Sequence, residues 1–238
     1  MQAFADKNEK VGEIISSEHR SYELMLDLQL GVRWSVSLYT PRPPPAATSG
    51  HAGDSADLGP FVEKVKVRFP RQGSAETPPH PNGNFKWKDY CPQLFRRLRQ
   101  LFSTDPAEYM LSICGDQALR ELPSPGKSGA LFYISHDDRY LVKTMRKNEM
   151  RTFLNMLPEY TRHVQANPHT LLTKFFGLHR IQMHGTRGRK VRIAHVDLLS
   201  CAACSSARVP YRTALVQPIA MPSRKLHCAR APPSHLRI

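Results

Sequence analysis

Pro125-Gly126-Lys127-Ser128-Gly129-Ala130 is a glycine-bracketed turn that opens into an apolar stretch, and the next apolar stretch carries one lysine, Lys143, among Leu141, Val142 and Thr144. A turn without side-chain bulk lets backbone amides approach phosphate oxygens, and an ammonium on the neighbouring strand can meet the same phosphates. The chemistry this pattern suits is the holding of a nucleoside triphosphate. Glu149, at the start of the following helix, is placed to form an ion pair that orients Lys143, although a glutamate there equally serves the helix start. Gly126-Lys127-Ser128 does not make a P-loop: that motif needs a glycine five residues earlier, where Glu121 stands, and it opens a helix rather than a strand. Taken singly, a Ser/Gly/Pro turn and a strand lysine are ordinary features; their order along the chain is what gives them meaning.

The elements that must position these residues are legible from periodicity. Leu131–Ser135, the polar His136-Asp137-Asp138-Arg139 and Tyr140–Thr144 read as strand, tight turn, strand. Met150, Phe153, Leu154, Met156 and Leu157 make a helix that Pro158 is expected to interrupt, and Leu171–Ile181 is apolar enough for a buried helix end or a strand. Upstream, Tyr22, Leu24, Met25 and Leu28 give a short amphipathic helix with Gly31 as its left-handed cap. Trp87, Tyr90, Cys91, Leu94, Phe95, Leu98, Leu101 and Phe102 line one helical face, with Asp89 as N-cap and Pro92 in the first turn. Asp105-Pro106-Ala107-Glu108 is a helix start with a capping residue, a first-turn proline and an acid. The fold class expected is α+β: an antiparallel sheet around the Leu131–Thr144 hairpin, with helices over Asp89–Phe102 and Arg146–Leu157 on one side.

Composition sets the outer limits. Twenty prolines against 13 glycines point to long non-regular stretches, above all the proline-, serine- and glycine-rich text from Pro41 to Pro60. A second irregular stretch ends at Pro78, Pro79 and Pro81, and its only packing handles are Phe61, Val65, Val67 and Phe69. The organisation expected is an amino-terminal helical segment over 1–40, a mostly flexible insertion over 41–84, the nucleotide-holding unit over 85–193 and an unmatched, disordered basic tail over 194–238. The formal charge of +14 suggests a polyanionic partner, but residues 182–238 hold ten Lys or Arg and one acid, so most of the excess sits in the tail and no nucleic-acid partner is expected. Arg96, Arg97 and Arg99, with Lys86 and Lys88, form a basic face: a solvated helix face first, a lipid-surface contact second. Cys201-Ala202-Ala203-Cys204 is one CxxC where zinc sites need two, and His179 reads as a packed core histidine, so no metal site is expected. With neither signal peptide nor apolar span, the chain is expected in the cytoplasm with its five cysteines reduced.

Five colinear segments carry a resemblance: Ser21–Gly31, Phe85-Lys86-Trp87-Lys88-Asp89-Tyr90-Cys91-Pro92, Ser112–Leu122, Pro125–Gly129 and Thr173–Arg180. Together they are similar to the amino-terminal part of the kinase domain of the plant-type phosphatidylinositol 4-phosphate 5-kinases, over about Gly12 to Ile181. The resemblance implies a kinase-like small lobe, with Gly126, Lys127, Ser128 and Gly129 over the phosphates of ATP, Lys143 as the ATP-binding lysine and Glu149 as its helical partner. It further implies Mg2+, phosphatidylinositol 4-phosphate as the substrate of the complete enzyme, and a peripheral place on the anionic inner face of the plasma membrane. Arg189–Ile193 resembles the start of the next small-lobe strand, after which the likeness is expected to cease; the tail is either a disordered basic extension or intron or shifted-frame text, the second being preferred. The aspartate-bearing segments of the family's large lobe do not occur in this sequence, so the chain is expected to be incomplete for catalysis on its own. The alternative, from another class, is a non-catalytic module that pairs with a kinase or occupies anionic membrane.

Overall fold

The computed structural model describes residues 11–38, 63–123, 129–184 and 189–197. All of them fall in one of the chain's two units, that spanning Met1–Arg208. In chain order they form β1 (Glu13–Ile14), α1 (Tyr22–Leu38), β2 (Lys64–Phe69), β3 (Phe85–Tyr90), α2 (Pro92–Leu101), α3 (Pro106–Cys114), β4 (Arg120–Leu122), β5 (Phe132–Ile134), β6 (Tyr140–Met145), α4 (Lys147–Ala166), β7 (Phe175–Met183) and β8 (Lys190–Asp197). The eight strands make one antiparallel sheet in the order β1-β4-β5-β6-β8-β7-β3-β2, so the α+β class is observed with the expected hairpin, β5–β6, inside the sheet.

Two cores cover the two sides of this sheet. On one side α1 and α3 pack on Phe69, Phe85, Trp87, Val142, Ile181 and Ile193. On the other, α2 and α4 share a second core with Met145, Leu178 and Ala194, which places the two expected helices together. α3 starts as its sequence says: the Asp105 carboxylate accepts the N–H groups of Ala107 and Glu108, each at 2.8 Å, ahead of Pro106 at the first turn.

Three local readings are corrected. Gly31 does not cap α1; the helix runs through it to Leu38, and Gly31 is the point where the Trp87 indole lies against the helix backbone, so close that a Cβ would fall inside the ring. Phe85–Tyr90 is a strand of period two and not the first turns of a helix; Asp89 faces His179 across the β3–β7 pairing, and Cys91, in the left-handed region at φ 49°, turns the chain into α2 at Pro92. Pro158 does not end α4, because Leu157, Tyr160, Thr161 and Val164 beyond or beside it are buried, and that packing outweighs one lost ladder bond. Two further elements extend past the expected limits: β2 lies in the stretch read as mostly flexible, and β8 pairs with β6 as far as Asp197. The Pro41–Pro60 stretch and Cys201, Cys204 and Cys228 lie outside the described residues.

One buried acid, Asp27, and one buried base, His195, couple folding to pH. Burial, opposed by an Asn82 Nδ2 hydrogen bond at 2.9 Å and reinforced by Glu23, raises the Asp27 carboxyl to about 7. A carboxyl raised on folding stabilises while protonated, and that contribution is lost as pH climbs through about 7. Fully buried His195 has its pKa lowered well below the ordinary value by burial, with His179 and Arg99 adding to it, so stability falls instead when pH drops below about 6.5. The urea midpoint is expected to decline from pH 6.5 to 8.5, and Asp27→Asn to flatten that decline. Gly31→Ala is expected to cost about 3 kcal/mol in the same assay, through overpacking against Trp87.

Candidate functional site

Of the residues expected around the phosphates, Gly126, Lys127 and Ser128 lie outside the described residues. Gly129 is described: it adopts φ +65° with nothing within 4 Å of a Cβ built on it, a conformation natural to glycine at an open turn. It enters the β5–β6 hairpin at the end closed by Leu131, whose N–H donates to Thr144 Oγ1 at 2.8 Å and whose carbonyl accepts the Thr144 N–H at 2.9 Å. The far end is closed by Ser135 and Asp137: the Ser135 hydroxyl donates to the Asp137 carboxylate at 2.6 Å and accepts the Tyr140 N–H at 3.0 Å. A hairpin tied at both ends holds its side chains in fixed register.

In that register Leu122 faces Phe132, Phe132 faces Lys143, and Lys143 faces Ala194. Lys143 is half-buried on the same face as Met145, with Nζ 5.7 Å from the centroid of the Phe132 ring. Among the described residues no carboxylate stands within ion-pair distance of this ammonium. Glu149 and Lys143 are therefore not brought together: the Glu149 carboxylate accepts the Arg146 N–H at 2.7 Å and closes the amino end of α4. Its role here is the helix start.

The basic surface is differently built from the one the sequence suggests. Arg99 is buried, donating to the Phe176 carbonyl at 2.6 Å and lying over the Tyr109 ring, so it belongs to the packing of α2 on the sheet. The exposed and half-buried cations come from strand alternation. Directly opposed residues Lys66, Lys88, Arg180 and Arg192 form one row across β2, β3, β7 and β8, and Arg68, Lys86, Gln182 and Lys190 form the next. The residues between them, Val67, Trp87, Ile181 and Val191, point the other way into the core under α1. Lys88 has its pKa lowered by partial burial and by Arg180, Lys66 and Lys64, the signature of crowded like charges. Arg180 and Arg192 each keep a buried Nε donor with no hydrogen-bond acceptor among the described residues. Five of these cations escaped the sequence reading; the signal for two of them, Lys66 and Arg68, was the alternation Lys64-Val65-Lys66-Val67-Arg68-Phe69.

Histidine 179 sits where a core histidine was expected, stacked on Trp87 with 4.7 Å between ring centroids and its Nδ1 3.0 Å from Asp89 Oδ1. Next to it, the Tyr109 hydroxyl meets His195 Nδ1 at 2.6 Å. Among the described residues no group of three His, Cys, Asp or Glu is arranged to hold a metal ion.

A hairpin bearing one lysine, followed by a helix and set in an antiparallel sheet with helices against it, defines an α+β unit. Sequence comparison narrows the class. Residues 113–204 match the model of the family described as Phosphatidylinositol-4-phosphate 5-Kinase. The chain is 52% identical over 199 residues to phosphatidylinositol 4-phosphate 5-kinase 6 of Arabidopsis thaliana, covering 84% of this chain and 27% of that protein. It is 51% identical over 183 residues to kinase 9 of the same plant, covering 77% and 21%, and 48% identical over 198 residues to kinase 1 of Oryza sativa subsp. japonica, covering 79% and 24%. The chain spans about a quarter of the length of the relatives it matches. This chain carries part of the phosphatidylinositol 4-phosphate 5-kinase family's sequence, and the family match runs to residue 204, beyond Ile193 where the likeness was expected to cease.

If Glu149 serves α4 alone, Glu149→Ala is expected to cost about 1 kcal/mol in chemical denaturation and Glu149→Gln much less, with ATP affinity the same in both. A loss of ATP affinity in Glu149→Gln at unchanged stability would restore the ion pair with Lys143.

Proposed function

We propose that this chain is part of the ATP-binding small lobe of a lipid kinase that moves the γ-phosphate of ATP to a ring hydroxyl of phosphatidylinositol 4-phosphate. The observation that carries the reading is the tied hairpin that sets Lys143 on the face it shares with α4, in a sequence about half identical to proteins named for that reaction. In this reading Gly126, Lys127, Ser128 and Gly129 offer backbone amides to the phosphates, and Lys143 supplies a point charge to the same oxygens. The Phe132 ring lies under the ammonium and limits its swing. Magnesium would enter with ATP, as the counter-ion of its phosphates; none of the described residues is arranged to hold it.

The same reading gives the cationic sheet face to the membrane. Two adjacent rows of Lys and Arg on a rigid sheet match the spaced negative charges of an anionic leaflet, at about 1 kcal/mol per basic residue close to the surface. No helix among the described residues is long and apolar enough to cross a membrane, so attachment would be peripheral, at the cytoplasmic leaflet. The second reading, a non-catalytic membrane module, shares this face and dispenses with the nucleotide.

Two measurements test these proposals. Thermal unfolding with MgATP is expected to show stabilisation, about 2.7 kcal/mol at a hundred times the dissociation constant, and Lys143→Met to remove it. No shift in the unaltered chain, together with vesicle binding, would leave the module reading. In flotation with vesicles containing phosphatidylserine and phosphatidylinositol 4-phosphate, Lys66→Glu with Lys88→Glu is expected to weaken binding about fivefold for each charge removed, and more after reversal. Arg97→Glu on α2 is expected to do little; the opposite ranking would return the contact to the helix.

A further inference from the structure

We propose that Arg20, Ser21 and Glu121 form a positioning clasp that sets β4, and through it the nucleotide hairpin, from the amino-terminal segment. The proposal rests on the ATP-binding reading of Lys143 for its functional consequence, and on geometry alone for the clasp itself.

β4 is three residues long and its outer neighbour β1 only two, so ladder bonds alone hold this edge weakly. The pairing also sets Glu13 directly opposite Glu121, a like-charge pair that disfavours the register by itself. What fixes the register is the Glu121 side chain, 7% exposed. One carboxylate oxygen takes the Arg20 guanidinium, and the other accepts the Ser21 hydroxyl at 2.7 Å. Ser21 Oγ in turn accepts the Tyr133 hydroxyl at 3.2 Å, so one residue at the head of α1 touches both β4 and β5. The neighbouring residue, Arg120, donates to the Val11 carbonyl and to Asp138 in the β5–β6 turn. Gly12, at φ +109°, permits the close approach: a Cβ there would stand 3.1 Å from the Glu121 carbonyl.

Residues 11–21 therefore embrace β4 through consecutive side chains that leave the strand on opposite sides. A buried carboxylate held by an ion pair is rarely more stabilising than an apolar residue of the same size, but it accepts only one geometry. Here that geometry aligns Leu122 with Phe132, and Phe132 is the ring beneath the Lys143 ammonium. Loosening β4 would let the ring and the ammonium drift from the position in which phosphates are met, with little effect on either core.

The test variant is Arg20→Ala, whose side chain is 75% exposed, so that folding is not at stake. Arg162→Ala, which removes a similarly exposed arginine from its pair with Glu159 on α4, is the control. Two readouts are compared in the full chain: MgATP affinity by calorimetry, and amide hydrogen exchange. Arg20→Ala is expected to weaken MgATP binding roughly two- to thirty-fold and to speed exchange at Leu122 and Phe132–Ile134 while leaving α2, β7 and the thermal midpoint unchanged; Arg162→Ala is expected to do neither. In a Glu121→Gln background the Arg20 substitution is expected to have no further effect on either readout. Wild-type binding matched by Arg20→Ala would overturn the clasp as a positioning device, as would faster exchange spread over the whole sheet. If the unaltered chain binds no MgATP, the ATP reading fails on its own, and the exchange pattern still decides the clasp: local acceleration supports it, none overturns it.

Discussion

The structure turns on strict alternation in β2, β3, β7 and β8. Trp87 and its neighbours Val67, Ile181 and Val191 must face α1 to leave water, and the pleat then sends Lys66, Lys88, Arg180 and Arg192 to the other side. A slip of one residue would bury four cations and expose a tryptophan, so the register is very strongly specified. Gly31 is the matching condition on the helix side, since only a residue without a side chain lets the indole lie on the α1 backbone. Burial of the apolar stripe and display of the cationic one are a single event.

The two faces then divide the labour. The face under α1 and α3 is unusual for its buried polar groups: Asp89, His179, His195 and Tyr109 adjoin one another there, and Arg99 reaches the Tyr109 ring from α2. Burial keeps His195 neutral, and Arg99 is satisfied by a carbonyl and an aromatic ring in place of a carboxylate. Such groups specify one packing of α2 against β7 at some cost in stability. The opposite face carries Lys143 beside α4 and, further along the sheet, the rows of cations. In the proposed reading a nucleotide and an anionic surface both call for positive charge, and Lys143 and the cationic rows stand on one face of one sheet.

By itself the sequence determined the hairpin, the α3 cap, the α+β class and the family, because each is local: a turn between two apolar runs, an Asp-Pro start, colinear segments whose order survives any folding. It also held Lys143 on a strand, where the structure leaves it. What only tertiary structure decided were the residues whose meaning depends on a partner far along the chain. Gly31 looks like a helix cap until Trp87, 56 residues on, is laid against it. Phe85–Tyr90 has apolar spacings compatible with a helix or a strand, and pairing with β2 and β7 selects the strand. Glu149 reads as a partner for Lys143 or a helix start and Arg99 as part of a basic face, yet a backbone N–H and a buried carbonyl claim them, while the cations of β7 and β8 gather into rows with those of β2 and β3 only when the sheet is assembled. Local signals fix which elements form; which side of an element meets water is settled by the packing energy of the whole sheet, and no window of sequence contains it.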